Sequence, residues 1–227
     1  MLFRSVDHVL VVDDASTDHT GVTARRLGPW ALEVIRHCEN QGVGGAIVTG
    51  YRRARSLGAD VTVVVWADAQ MAPDEMHRLF DAVRAGADYA KGDRLGHPEL
   101  WRRMPWVRLL GNLALTGLTR LSSGYWHVRD TQCGYTAIGR RALERLPLGD
   151  LYRRYGFPND LLAKLSEQGA TVVDCPVTPI YGDEQSGIRI PHVVGPIFLL
   201  LVRSGLRRVW RQRLRRGAFE ALADEAG

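Results

Sequence analysis

The chain has 227 residues, 45% of them hydrophobic and 24% charged, which is the composition of a folded domain with one full core. That apolar fraction excludes a disordered chain, and three Cys without a C-x-x-C pair exclude a disulfide-stapled miniprotein and a tetrahedral zinc site. The net charge of +5 is made locally: residues 203–216 hold seven Arg and no acid, while residues 1–202 hold 23 basic and 22 acidic side chains.

Residues 8–12 (His-Val-Leu-Val-Val) are a short β-branched run closed by Asp13 and Asp14, which predicts a buried parallel strand with carboxylates at its C-terminal end. Thr17 or Asp18 can cap the helix that follows. Val34 and Ile35 predict a second strand and residues 43–57 a helix. Val61 to Val65 is the strongest strand and runs into Trp66-Ala67-Asp68-Ala69-Gln70. Pro73 then opens a helix that carries Met76, Leu79, Phe80 and Val83 at helical spacing. The alternation predicts an α/β sheet that binds its ligands at the strand C-termini. Further on, residues 88–91 read as a strand, and residues 105–121 as a helix with Arg on one side and Leu on the other. Helices are expected near 139–146 and 160–168, with Asp160 in the first turn of the latter. A last strand over 170–175 precedes a loop from Pro176 to Gly187.

Three acidic or polar groups are expected just after predicted strands: Asp13 with Asp14, Asp68 with Gln70, and Asp130 with Gln132. Oxygen ligands gathered at one sheet edge suit Mg²⁺ or Mn²⁺ bridging a diphosphate, although each Asp alone is also ordinary turn chemistry. Gly42-Val43-Gly44-Gly45 matches neither the dinucleotide nor the Walker spacing, so no Rossmann cofactor is expected. A helix N-terminus beside a diphosphate fits it better.

Taken in order, these segments resemble family-2 glycosyltransferases, which have the GT-A fold, a Rossmann-like, mostly parallel sheet flanked by helices. Val11-Val12-Asp13-Asp14-Ala15-Ser16-Thr17-Asp18 is similar to that family's V-D-D-x-S-x-D signature. The likeness continues through Asn40-Gln41-Gly42, Ala67-Asp68-Ala69-Gln70-Met71, Lys91-Gly92-Asp93-Arg94, Gly111-Asn112, Asp130-Thr131-Gln132-Cys133-Gly134-Tyr135 and Asn159-Asp160 to Ser186-Gly187-Ile188. It is nearest the dolichol-phosphate mannosyltransferase-like branch. The resemblance implies a donor site for a UDP-, GDP- or dTDP-sugar made by Asp13, Asp14, Ser16, Asp18, Asn40, Gly44 and Lys91. It implies a divalent metal on Asp68 and Gln70, and a sugar pocket lined by Asp130 and Gln132. It also implies an acceptor phosphate on Arg94 and Arg108, and Asp160 where a general base sits in relatives with hydroxyl acceptors.

Two departures carry consequences. Trp66 occupies the place of the first D-x-D carboxylate, and Ala72 the place of the usual Asp before Pro73. The matched motifs begin at the family's second strand, so an open sheet edge is expected there, which a homodimer would cover. The N-terminal residues carry no apolar leader. The expected organisation is a catalytic domain over 1–190, a basic amphipathic helix over 191–216 and an acidic tail over 217–227. Residues 193–202 are too short an apolar run to span a bilayer. The helix places Leu206, Val209, Trp210 and Leu214 among seven Arg, the pattern of a membrane-surface helix. One aromatic and a neutral remainder argue against nucleic acid. The expected function is inverting, metal-assisted transfer of a sugar to polyprenyl phosphate at the cytoplasmic membrane face. The alternatives are a hydroxyl acceptor with Asp160 as base, and a truncated, non-catalytic relative.

Overall fold

The computed structural model describes residues 6–27, 32–96, 106–180 and 195–210, the side chains of residues 27 and 106–109 excepted. β1 (Val9–Asp13), α1 (Thr20–Leu27) and β2 (Leu32–Arg36) form a parallel β-α-β unit, with Val11 opposite Val34 and Asp13 opposite Arg36. The cap of α1 is Asp18, whose Oδ1 accepts the Thr20 N–H at 2.9 Å and the Thr20 hydroxyl at 2.5 Å, satisfying a donor that the helix leaves unpaired.

α2 (Val43–Ser56) leads to β3 (Val61–Val64), and a 3₁₀ turn at Pro73–Glu75 opens α3 (Met76–Arg84). β4 (Tyr89–Asp93) and α4 (Trp106–Ser123) follow. Next come β5 (Thr136–Gly139), α5 (Arg140–Arg145), α6 (Phe157–Glu167) and β6 (Val172–Pro176), and a final helix, α7, covers 195–210. The second sheet has the order β3-β5-β4-β6. β5 runs antiparallel to both its neighbours and β4 runs parallel to β6, so three strands share one direction.

β5 is absent from the sequence pattern. Thr-Ala-Ile-Gly has neither the length nor the alternation of a strand. It is a strand because β3 and β4 both pair with it, and it lies buried between them.

Two apolar clusters make the core. Val48, Tyr51 and Ala54 of α2 pack with Leu143, Leu161, Leu162 and Leu165 on one side of the second sheet. Leu79 and Val83 of α3 pack with Ala90, Tyr135, Ala137 and Cys175 on the other. β1 and β3 are not paired with each other. Both are half-buried over most of their length, whereas every residue of β4 is buried. α2 packs against both β1 and β3 and so spans the interruption.

Candidate active site

The ends of β1, β3 and β4 carry the expected polar residues, and the structure divides them into two connected groups. The first surrounds β1. Asp13 is 2% exposed, and its Oδ1 accepts the Ser16 N–H at 2.9 Å. Hydrogen bonding from Ser16, its hydroxyl first and then this N–H, helped by Arg36, whose Nε is 3.7 Å from Oδ2, holds the carboxyl below its ordinary pKa. Gly21 of α1 faces it closely: a Cβ there would lie 2.7 Å from Oδ2, so a side chain would break the approach of α1 to β1.

Asp14 ties the β2–α2 connection to β1. It accepts the N–H groups of Gln41 and Gly42, each at 2.8 Å, and its Oδ1 lies 2.7 Å from His37 Nδ1. A carboxylate only accepts, so that ring nitrogen carries the proton. Burial pushes the Asp14 pKa up, and the bonds from His37, Gln41 and Gly42 outweigh it and leave the pKa lowered. Asn40 donates to the Asp14 carbonyl at 3.2 Å, so Asp13, Asp14, Ser16 and Asn40 do come together. Asp18 stands at the cap of α1, at the exposed end of the same loop.

The glycine run of α2 is not an open cradle. The Gly45 N–H donates to the Arg153 carbonyl at 2.9 Å. A Cβ on Gly42 would lie 2.8 Å from that oxygen, and one on Gly44 would overlap the Tyr152 carbonyl. The helix N-terminus that the spacing offers to a diphosphate is thus taken by the 152–154 backbone, and the observed role of Gly44 is close packing.

The second group joins the ends of β3 and β4 to the segment before β5. The Gln70 N–H donates to Asp68 Oδ1 at 3.1 Å across Ala69, whose φ of 57° is left-handed. Trp66, where the resemblance puts a carboxylate, lays its indole against Gly134, which has no room for a Cβ. The Tyr135 hydroxyl donates to the Ala72 carbonyl at 3.1 Å, and the Gly92 N–H donates to the Tyr135 carbonyl at 2.8 Å. Asp68, Gln70, Asp130 and Gln132 are therefore carried on loops that are packed together at one edge.

Asp130 and Arg94 form a two-pronged ion pair, Nε to Oδ2 at 2.7 Å and Nη2 to Oδ1 at 3.2 Å. Burial acts to raise the Asp130 pKa, but the attraction of Arg94 and its hydrogen bonds, with Lys91 behind, leave it lowered. Oδ1 also accepts the Gln132 N–H at 3.1 Å. Asp93, which sequence reasoning passed over as a site residue, lies beside this pair. It is 5% exposed, its Oδ1 accepts the Leu95 N–H at 2.9 Å, and its Oδ2 is 3.6 Å from Arg129 Nε.

Lys91 is a correction. It is 0% exposed, and its ammonium donates to the Cys133 carbonyl at 2.5 Å. Burial lowers its pKa against the opposing pull of Asp130. It cannot touch a bound nucleotide and instead holds the 130–134 segment onto β4. Asp160 is likewise committed. It is 3% exposed, accepts the Tyr152 N–H at 2.8 Å and pairs with Lys164 at 3.1 Å, so it fixes the loop that packs on Gly42 and Gly44. Arg108 falls in the first turn of α4, and its side chain lies outside the described residues.

Among the described residues no three His, Cys, Asp or Glu side chains gather into a metal cage. Asp68 supplies a carboxylate and Gln70 an amide oxygen, ligand types that Mg²⁺ and Mn²⁺ take, and the two residues meet through the Gln70 N–H on Asp68 Oδ1.

The family model for glycosyl transferase family 2 matches residues 3–147. The chain belongs to that family. Polyprenol monophosphomannose synthase of Mycolicibacterium smegmatis is 35% identical over 175 residues, 75% of this chain and 66% of that protein. The UDP-N-acetylglucosamine–dolichyl-phosphate N-acetylglucosaminyltransferase of Methanococcus voltae is 30% identical over 193 residues, 78% of this chain and 76% of its own. These relatives place this family-2 glycosyltransferase in the dolichol-phosphate mannosyltransferase-like branch. Its fold matches glucosyl-3-phosphoglycerate synthase of Mycobacterium tuberculosis, solved with UDP, at a TM-score of 0.67 and 18% identity, over 88% of this chain and 69% of that one. The same enzyme solved with Mn²⁺ and UDP-glucose matches at 0.61. The fold is thus GT-A and of the α/β class.

Proposed function

We propose that this glycosyltransferase moves a sugar from a nucleoside diphosphate sugar to a polyprenyl phosphate at the cytoplasmic face of the membrane, with inversion at the anomeric carbon. The observation that carries the reading is the likeness, over three quarters of the chain, to transferases named for dolichyl-phosphate and polyprenol acceptors. The site agrees with it chemically. A lipid phosphate is already anionic near neutral pH and needs no base to attack; it needs a cation, and Arg94, 16% exposed and paired with Asp130, would have to share its guanidinium with the phosphate. Arg presents a planar fork that suits phosphate oxygens.

A divalent ion on Asp68 and Gln70 would neutralise the departing diphosphate. The protein's own part is positional. Asp13 and Asp14 fix the loops after β1 and β2, where the nucleoside is expected, and Lys91 fixes the loop that bears Asp130 and Gln132. A hydroxyl acceptor would require Asp160 to take a proton, and its carboxylate is buried and paired with Lys164, which favours the phosphate acceptor.

Calorimetric titration with UDP and GDP, each with and without Mn²⁺, tests the donor half. Metal-dependent binding of one nucleotide, lost in Asp68→Ala, is expected. Transfer of labelled sugar from that donor to detergent-dispersed polyprenyl phosphate tests the acceptor half. Folded protein that binds neither nucleotide overturns the reading as a UDP- or GDP-sugar transferase, and transfer only to a hydroxyl acceptor overturns the polyprenyl-phosphate reading.

A further inference from the structure

The loop between α5 and α6 presents two arginines that have no acidic partner among the described residues. Leu151 and Phe157, each 3% exposed, anchor its ends in the core, and Arg153, Arg154 and Tyr155 between them are exposed. The backbone is pinned at three points. The Tyr152 N–H donates to Asp160 at 2.8 Å, the Arg153 carbonyl accepts the Gly45 N–H at 2.9 Å, and the Arg154 carbonyl accepts the Phe157 N–H at 2.9 Å. A fixed backbone beneath exposed guanidinium groups lowers the cost of ordering them around an anion.

The loop stands over the turn that Asp14 holds. Arg153 Nη1 donates to the Gln41 amide oxygen at 3.0 Å, and a Cβ on Gly42 would lie 3.1 Å from Arg154 Cγ. The N–H groups of Gln41 and Gly42 are the two that Asp14 accepts, so both arginines border the loops where the nucleoside is expected. On its other side the loop reaches α7, since a Cβ on Gly156 would lie 3.2 Å from Leu200 Cδ2.

Charge sets these two residues apart from the other cations at the strand ends. Arg36 faces Asp13 at 3.7 Å, Arg94 faces Asp130 at 2.7 Å and Arg129 faces Asp93 at 3.6 Å, while Lys91 is buried. Arg153 bonds a neutral amide instead. A phosphate arriving at this edge therefore meets two guanidinium groups that need not give up a carboxylate first, and each offers a planar fork of donors to phosphate oxygens.

We propose that Arg153 and Arg154 are a phosphate-binding pair of the active site, supplied by the loop between α5 and α6. This rests on the transferase reading, which brings two phosphate sources to this edge, the donor diphosphate and the lipid acceptor. The pair acts by binding and orienting, and it adds positive charge where Arg94 is committed to Asp130.

The test is calorimetric titration of the full chain with UDP, GDP and inorganic pyrophosphate, alongside the KM for detergent-dispersed polyprenyl phosphate. Arg153→Gln/Arg154→Gln should lower one of these affinities at least about tenfold. A loss confined to nucleotide and pyrophosphate names the donor diphosphate as the group held; a raised KM for the lipid alone names the acceptor phosphate. Arg153→Lys/Arg154→Lys should restore most of the loss, and the difference between the Gln pair and the parent should shrink at high salt, because exposed charges are screened. Both positions are exposed, so unchanged thermal unfolding is expected; if the Gln pair unfolds, Arg154→Gln, which keeps the Arg153–Gln41 bond, replaces it. Unchanged affinities and an unchanged KM in the folded Gln variant overturn the proposal and leave the transferase reading standing. Pyrophosphate binding that is lost in the Gln variant, in a chain that binds no nucleotide and transfers no sugar, would do the reverse. A folded parent chain that binds neither pyrophosphate nor nucleotide and transfers no sugar overturns both.

Discussion

Replacing Asp130 by Asn removes one charge from a pocket that holds two cations. Arg94 keeps only 16% of its side chain exposed and Lys91 is fully buried, so neither can recover its hydration when the carboxylate goes. Breaking a buried pair from one side costs about 3–5 kcal/mol. For a chain of this size that corresponds to a fall in Tm of about 6–20 °C. Asp130→Leu with Arg94→Met should cost less than the sum of the two single changes, because the pair is then replaced by apolar volume, although Lys91 keeps part of the penalty. The pH dependence has a definite sign. The Asp130 pKa is lowered in the folded state, so its contribution is fully present above the unfolded carboxylate value, about 3.9, and is lost as pH falls through the lower folded value. Guanidinium melts at pH 7 and at several acidic values read both effects: Asp130→Asn should be less stable at pH 7 and should lose less on acidification. A cost below about 1 kcal/mol at pH 7 would refute the claim that Asp130 is the counter-charge of this pocket.

Asp14→Ala strands the N–H groups of Gln41 and Gly42; at about 1–3 kcal/mol for each buried donor, tempered by water reaching a carboxylate site 18% exposed, a loss of about 2–3 kcal/mol is expected in chemical melts. Gly134→Ala pushes a methyl into Trp66 and should cost about 1–3 kcal/mol. Adding Trp66→Ala to it should give a double variant less destabilised than the two single losses predict, measured by a thermodynamic cycle. Asp160→Asn should lower Tm by loosening the Tyr152–Gly156 loop while leaving the turnover of the folded fraction with polyprenyl phosphate within a few-fold; a thousand-fold fall in that turnover would make Asp160 the base after all.

Much of the layout was legible in residue order. Helices at 43–57 and after Pro73, and the strand at 61–65, follow from apolar periodicity, in the first case despite Gly44, Gly45 and Gly50, and the structure places them within a residue or two. The site was legible as a set of loops rather than as a set of contacts. Asp13, Asp14, Ser16 and Asn40 lie together because they close one β-α-β unit, and there they bond to one another and to the backbone. Lys91 was misread because a motif position says nothing about burial: the side chain folds under its own strand to reach Cys133, a contact set by β5, which the pattern does not reveal. Gly44 looked like a phosphate-binding glycine because the competing occupant, the 152–154 backbone, is more than a hundred residues away in sequence. In α4 the Leu side was visible and its direction was not: Leu110, Leu113 and Leu121 are exposed while Thr116, Thr119, Ser122 and Ser123 are buried, and serine and threonine can face inward only when tertiary partners satisfy their hydroxyls.

The interruption between β1 and β3 shapes how the molecule opens. Among the described residues no ladder of backbone bonds joins the two sheets, so the β1–α1–β2 unit is held to the rest largely through α2, whose Gly45 bonds the carbonyl of Arg153. Two cooperative units of unequal strength follow. Amide protons of β4 and β5 should exchange with deuterium only by global unfolding, while those of β1 and β2 should exchange through a cheaper, partial opening. The expected nucleoside-binding loops lie on the weaker unit, so a bound nucleotide should slow exchange most in β1 and β2 and barely alter it in β4.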